Sequence, residues 1–222
     1  MKIILCILLS LSLFACSTPN ENASIEDVIV LKDMPTKTDP TNNLGSASPI
    51  KASNLDDYLF RDDCVYIDTR DAYQYYAEGH VAGFTNIPFY GYITDFKYNP
   101  NTLFSSIKVK DGEEIVHFGD LNSYEPNYEE SIKLIEDLIP RDKNILVIST
   151  AGVESAYFLN LLLQLGYDGN KLYNVGSFTN GMGEDVAYSL YEGVKYLVDG
   201  IELYDTKINY QLDIDAYTPI TK

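Results

Sequence analysis

The side chains best placed to do chemistry in this chain lie in one short loop: Ser149, Thr150, Ala151, Gly152, Val153 and Glu154. Ser149 is the candidate nucleophile. Its hydroxyl is not ionised at neutral pH and would need a base to activate it. The chain has two histidines, His80 and His117. A Ser149–His80 pair would make the loop an enzyme of the hydrolase or transferase type, and the test for it is a base within hydrogen-bonding reach. The three cysteines, Cys6, Cys16 and Cys64, all lie outside the loop. Cys64 opens an apolar strand and reads as a small buried residue. His117 has no second His or Cys at ligand spacing and reads as a packing or surface residue. The carboxylates of Asp56, Asp57, Asp62 and Asp63 are hard-cation ligands by type, but on a surface helix and turn they read as solvated groups. No metal and no cofactor is expected from these residues.

The elements around the loop explain why it is the place to look. Ile145, Leu146, Val147 and Ile148 form an apolar run without alternation, the pattern of a strand covered on both faces. Gly152 permits a sharp bend. A helix is expected from Glu154 or Ser155 to Gly166, a favourable C′ residue. Backbone N–H groups would converge at the mouth of this strand–loop–helix, and the helix end adds about half a positive charge. Such a cradle suits an anion or a thiolate.

Bulk properties narrow the function classes. The chain has 222 residues, 45% of them hydrophobic, enough for one packed domain with tails. A net charge of −17 argues against nucleic acid as a partner, since phosphates reward Lys and Arg. It also argues against adhesion to anionic lipid by charge alone. Lys2 followed by the largely apolar stretch Ile3 to Phe14 has the make-up of a signal peptide and is too short to span a bilayer. Its end, Leu13-Phe14-Ala15-Cys16, resembles the lipobox of bacterial lipoproteins. The resemblance implies cleavage before Cys16, acylation of that residue and anchoring on the extracytoplasmic face of a cell membrane, where several acyl chains hold firmly. Residues 16–48 are polar and rich in Asn, Thr, Ser and Pro, and are expected to form a flexible tether.

The globular part is expected from about residue 49. Ser53 is placed to cap a short helix over Asn54 to Leu59, with Asp56 at the capping-box position. Cys64 to Asp68 reads as a strand and Asp71 to Glu78 as a helix ending at Gly79. Asp111-Gly112 between apolar runs signals a hairpin. Asn127, with Glu130, is expected to cap a helix from Tyr128 to Leu138 whose buried stripe is Ile132, Ile135 and Leu138, stopped by Pro140. After Gly183, Asp185 to Leu197 has helical content and Ile201 to Ile214 alternates weakly. Six tyrosines in this tail, Tyr188, Tyr191, Tyr196, Tyr204, Tyr210 and Tyr217, either pack it onto the domain or face a partner.

Four motifs in order carry a second resemblance. Ile67-Asp68-Thr69-Arg70, then Glu78-Gly79-His80-Val81-Ala82-Gly83, then Asn86-Ile87-Pro88, then the strand–loop–helix ending Leu162-Leu163-Gln164-Leu165-Gly166-Tyr167, resemble the rhodanese-like domain. Val175-Gly176-Ser177-Phe178 stands where that family has its closing glycine turn. The resemblance covers residues 49–183, with an insertion at about 99–126 and a C-terminal extension over 184–222. It implies an α/β fold whose five-stranded, mainly parallel sheet is flanked by helices, here with the inserted hairpin. It gives His80, Asp68 and Arg70 structural roles. In catalytic rhodaneses a Cys begins the loop and carries a persulfide; Ser149 stands there instead and cannot form one. Thr150 and Glu154 replace the two arginines that would hold an anionic substrate. The expectation is therefore a lipid-anchored binding or interaction module without sulfurtransferase activity. Its attachments are the membrane, through Cys16, and a protein partner that the sequence does not name.

Overall fold

The computed structural model describes residues 31–94, 101–110, 113–116, 124–181, 186–201 and 214–220. The stretch expected to be a signal peptide, with Cys6 and Cys16, and His117 fall outside the described residues. Among the described residues no helix is long and apolar enough to cross a membrane.

The protein is α/β. Strand β1 (Cys64–Asp68) is followed by helix α1 (Ala72–Ala77) and the short strands β2 (His80–Val81) and β3 (Thr85–Asn86). Next come β4 (Phe104–Ser105), β5 (Ile107–Lys110), β6 (Glu113–Val116) and β7 (Glu125–Pro126). Helix α2 (Ser131–Leu138), strand β8 (Asn144–Ser149), helix α3 (Val153–Gln164), strand β9 (Leu172–Ser177) and strand β10 (Leu197–Val198) complete the order. The central sheet has four strands among the described residues, in the order β3-β1-β8-β9. All its pairings are parallel. The chain runs outward from β1 to β3 on one side and returns to β8 on the other. The carboxyl ends of β1 and β8 therefore meet where the winding reverses, the usual place for a site in an open parallel sheet.

The apolar run of β8 is buried because both of its faces are covered. Ile145 and Val147 pack with Ile135 of α2 and with Phe158, Leu159 and Leu162 of α3. Leu146 and Ile148 face the other way, onto Leu55, Tyr58, Tyr66, Phe178 and Tyr188. Alternation along one strand thus feeds two core layers. The expected hairpin forms: Ile107 pairs with Val116 and Lys110 with Glu113, a register that leaves two residues for the connection.

Several expectations are corrected. Asn127 does not cap α2; its side chain donates to the Thr102 carbonyl and accepts from Ser105. Glu130 occupies the N-cap position instead and binds Thr218 of the tail. In α2, Ile135 is buried, but Ile132 and Leu138 are exposed. The helix starts later than expected, and its inner face is carried by Ser131 and Ile135, with Ile139 buried just past its end. Asn54, not Ser53, precedes the short turn Leu55–Tyr58, and that turn is 3₁₀. Asp56 is drawn away from capping by the Tyr188 hydroxyl and the Lys195 amide, both of which it accepts. The stretch expected to be helical after residue 185 holds a 3₁₀ turn, Tyr188–Leu190, and strand β10. The alternating stretch Ile201 to Ile214 lies largely outside the described residues.

The packed body also begins earlier than residue 49. Asn43 donates to Asn160 of α3, and its carbonyl accepts from Asn174 of β9. Tyr173 donates to the Pro35 carbonyl. Lys37 is buried, with its ammonium on Asn43 and the Pro40 carbonyl. Residues 34–48 thus form a strap along β9, the edge strand of the sheet. Polar composition suggested a free tether, yet the same Asn and Lys side chains satisfy one another once laid against the edge.

Candidate functional site

Ser149 is the last residue of β8, and α3 begins at Val153. Gly152 turns the chain between them with φ +78°, a left-handed angle that calls for glycine. The loop is held from outside at the carbonyls of Ser149, Thr150 and Gly152. Phe178 N–H donates to Ser149 O at 2.8 Å, and Asn180 N–H to Thr150 O at 3.0 Å. The Asn174 side chain donates to Gly152 O at 2.8 Å. Thr150 Oγ1 lies 3.3 Å from Gln74 Oε1, to which it donates.

The serine itself is sealed. Ser149 is 0% exposed, and its Oγ has no hydrogen-bond partner among the described residues. No base therefore touches it. His80 is engaged elsewhere: its Nδ1 lies 3.3 Å from Tyr75 O and its ring stacks on Tyr75 at 3.9 Å. Burial holds the His80 imidazole below its ordinary range. The structure thus leaves Ser149 and His80 unconnected by any hydrogen bond. His80 is a packing residue at the pairing of β2 with β10.

Asp68 and Arg70 fill the space at the end of β1. Arg70 Nε donates to Asp68 at 3.0 Å and Nη2 at 2.7 Å, and Nη2 also reaches Gly79 O at 2.7 Å. The guanidinium lies 3.7 Å from the centre of the Phe178 ring. Both side chains are fully buried. Burial pushes the Asp68 carboxyl up, and its bonds to Arg70 oppose that rise. A guanidinium so enclosed by protein acceptors and a ring has no face to offer a substrate. Its work is to join β1, Gly79 and the segment after β9. Asn86 extends this lock, its amide donating to Asp68 O and Arg70 O. The Asp-x-Arg and Asn-Ile-Pro stretches are thereby brought together, as is Gly79, where a Cβ would strike the Val198 carbonyl.

Cys64 sits at the amino end of β1, so the length of that strand, about 13 Å, separates it from the loop end of the sheet. Its Sγ contacts Met34 and Asp63. Burial first, and then the Asp63 charge, push the thiol up to about 11, so it is protonated at neutral pH. The acidic residues disperse: Asp56 holds Tyr188 and Lys195, Asp57 pairs with Lys32, and Asp63 with Arg61. Among the described residues no group of three or more His, Cys, Asp or Glu side chains is placed to hold a metal ion.

No protein-family model, no curated protein and no solved structure matches this chain.

Sequence reasoning missed Asn174 and Asn43. Asn174 interrupts the otherwise apolar stretch Leu172 to Val175, a polar break that points to a specific hydrogen-bonding duty. Asn43 carries no comparable signal within its polar surroundings.

Proposed function

We propose that this chain is a lipid-anchored binding module built on a rhodanese-like fold and without sulfurtransferase activity. The four-motif order and the parallel sheet with its loop at the reversal of winding support the fold, whose full form would have five strands. The observation that carries the functional reading is the state of Ser149: an alcohol in place of a thiol, 0% exposed, with no base in contact. Glu154 at the same helix end would repel the anions the family acts on. The anchor would be acylated Cys16, on the extracytoplasmic face of a cell membrane. Binding would fall on the C-terminal segment, where Val186, Leu190 and Ile201 are exposed.

The test is sulfur transfer from thiosulfate to cyanide by the full chain and by Ser149→Cys. The expected result is no turnover by the parent protein. Turnover by the parent would overturn the reading. Turnover confined to Ser149→Cys would support both the fold and the loss of its chemistry.

A further inference from the structure

Buried polar atoms without a partner are rare in folded proteins, and each costs about 1–3 kcal/mol when left so. In this protein Ser149 Oγ, Glu154 Oε2 and Ser155 Oγ are all of this kind. They belong to one strand–loop–helix. Ser149 and Ser155 are both 0% exposed.

The two hydroxyls face the same seam. Along β8, Ser149 shares the face of Ile145 and Val147, which pack against Phe158, Leu159 and Leu162 of α3. Ser155 precedes Phe158, Leu159 and Leu162 by three, four and seven positions, so it lies on the face that α3 turns to the sheet. One hydroxyl therefore looks out from the end of the strand and the other looks back from the first turn of the helix. Neither bonds to the other or to any group among the described residues. Glu154, beside Ser155, adds a carboxylate oxygen in the same condition.

The charges around the seam select the occupant. A carboxylate disfavours an anion. The positive end of α3 disfavours a cation. What remains is a neutral molecule that both donates and accepts, matching hydroxyls that do the same. We propose that the seam between the end of β8 and the first turn of α3 is a binding site for a single internal water, held by Ser149 Oγ and Ser155 Oγ. Such a water meets the requirement of two to four polar partners. It pins the loop from within, as Phe178, Asn174 and Asn180 pin it from outside. The site does not depend on the rhodanese reading; a failed sulfur-transfer assay leaves it untouched.

Two measurements on the full chain test it. In a crystal structure at about 1.5 Å or better, one density peak is expected within hydrogen-bond distance, about 2.7–3.2 Å, of both hydroxyls. Absence of a peak, or a peak with six or more oxygens at about 2.4 Å as around a hard cation, overturns the proposal. The second measurement is the urea unfolding of Ser149→Ala and Ser155→Ala. If a water joins the hydroxyls, each substitution lowers the folding equilibrium constant about two- to tenfold. If the hydroxyls are truly unpartnered, removing one relieves a desolvation cost and the constant rises, which also overturns it.

Discussion

Replacing Arg70 by Met keeps the length of the side chain and removes its charge. The guanidinium is fully buried and gives hydrogen bonds to Asp68 and to the Gly79 carbonyl, with the Phe178 ring 3.7 Å away. The substitution leaves the Asp68 carboxylate buried without its cation. Breaking one side of a buried pair costs about 3–5 kcal/mol. A domain of ordinary stability has about 5–15 kcal/mol in all, so this one change removes a large share. At a urea slope of about 2 kcal/mol/M the midpoint falls by about 1.5–2.5 M. The loss also depends on pH. Burial already pushes Asp68 up, and without the guanidinium only the backbone N–H of residue 70 and the His80 charge still oppose that push. The folded state of the variant then holds a proton that the unfolded state releases above about pH 4. Its stability therefore falls as pH rises from there through the folded value. Urea denaturation followed by circular dichroism at pH 4.5 and pH 7.5 reads both effects. Asp68→Asn combined with Arg70→Met should recover part of the loss, because no stranded charge remains. A single variant within about 1 kcal/mol of the parent at pH 7.5 would refute the claim that Asp-x-Arg is a structural lock.

With its thiol pushed up to about 11, Cys64 should be alkylated at pH 7.5 at least about a hundredfold more slowly in the native protein than in urea; mass spectrometry of the Cys64 peptide checks this. Burial lowers His80, so as pH falls below about 6.5 the unfolded state takes the proton first and stability drops. His80→Phe should flatten the stability–pH curve between pH 7 and pH 5. Burial brings Lys37 down to about 8 from 10.5. Stability should then rise with pH across that window and be lost as pH falls through the lower value, and Lys37→Met should abolish the slope. Asn43→Ala, which removes the partners of Lys37 and Asn160, should cost about 1–3 kcal/mol. It should also speed amide hydrogen exchange across residues 34–48, whereas unchanged exchange there would mean that the strap is held by other contacts.

Legibility was uneven, and for identifiable reasons. Strand β1 and helices α1 and α3 fell within a residue or two of expectation, because the glycines at 79, 152 and 166 take φ values of +87°, +78° and +86° that mark the breaks in the chain. The strap was hidden: Lys37 and Asn43 look solvated in sequence and become buried only through partners on α3 and the strap itself. Helix α2 was misaligned because Asn127 found acceptors and donors on a neighbouring strand instead of the helix end.

By itself, the sequence determined the chemistry available at the loop. A hydroxyl at position 149 and a carboxylate at position 154 are atomic identities that no folding can change. Accessibility and partnership were decided by tertiary structure alone. Whether Ser149 meets a base, whether Arg70 reaches outward or inward, and whether residues 34–48 swing free all depend on which distant groups arrive at hydrogen-bond distance. That is a long-range property of packing, and local residue patterns do not encode it.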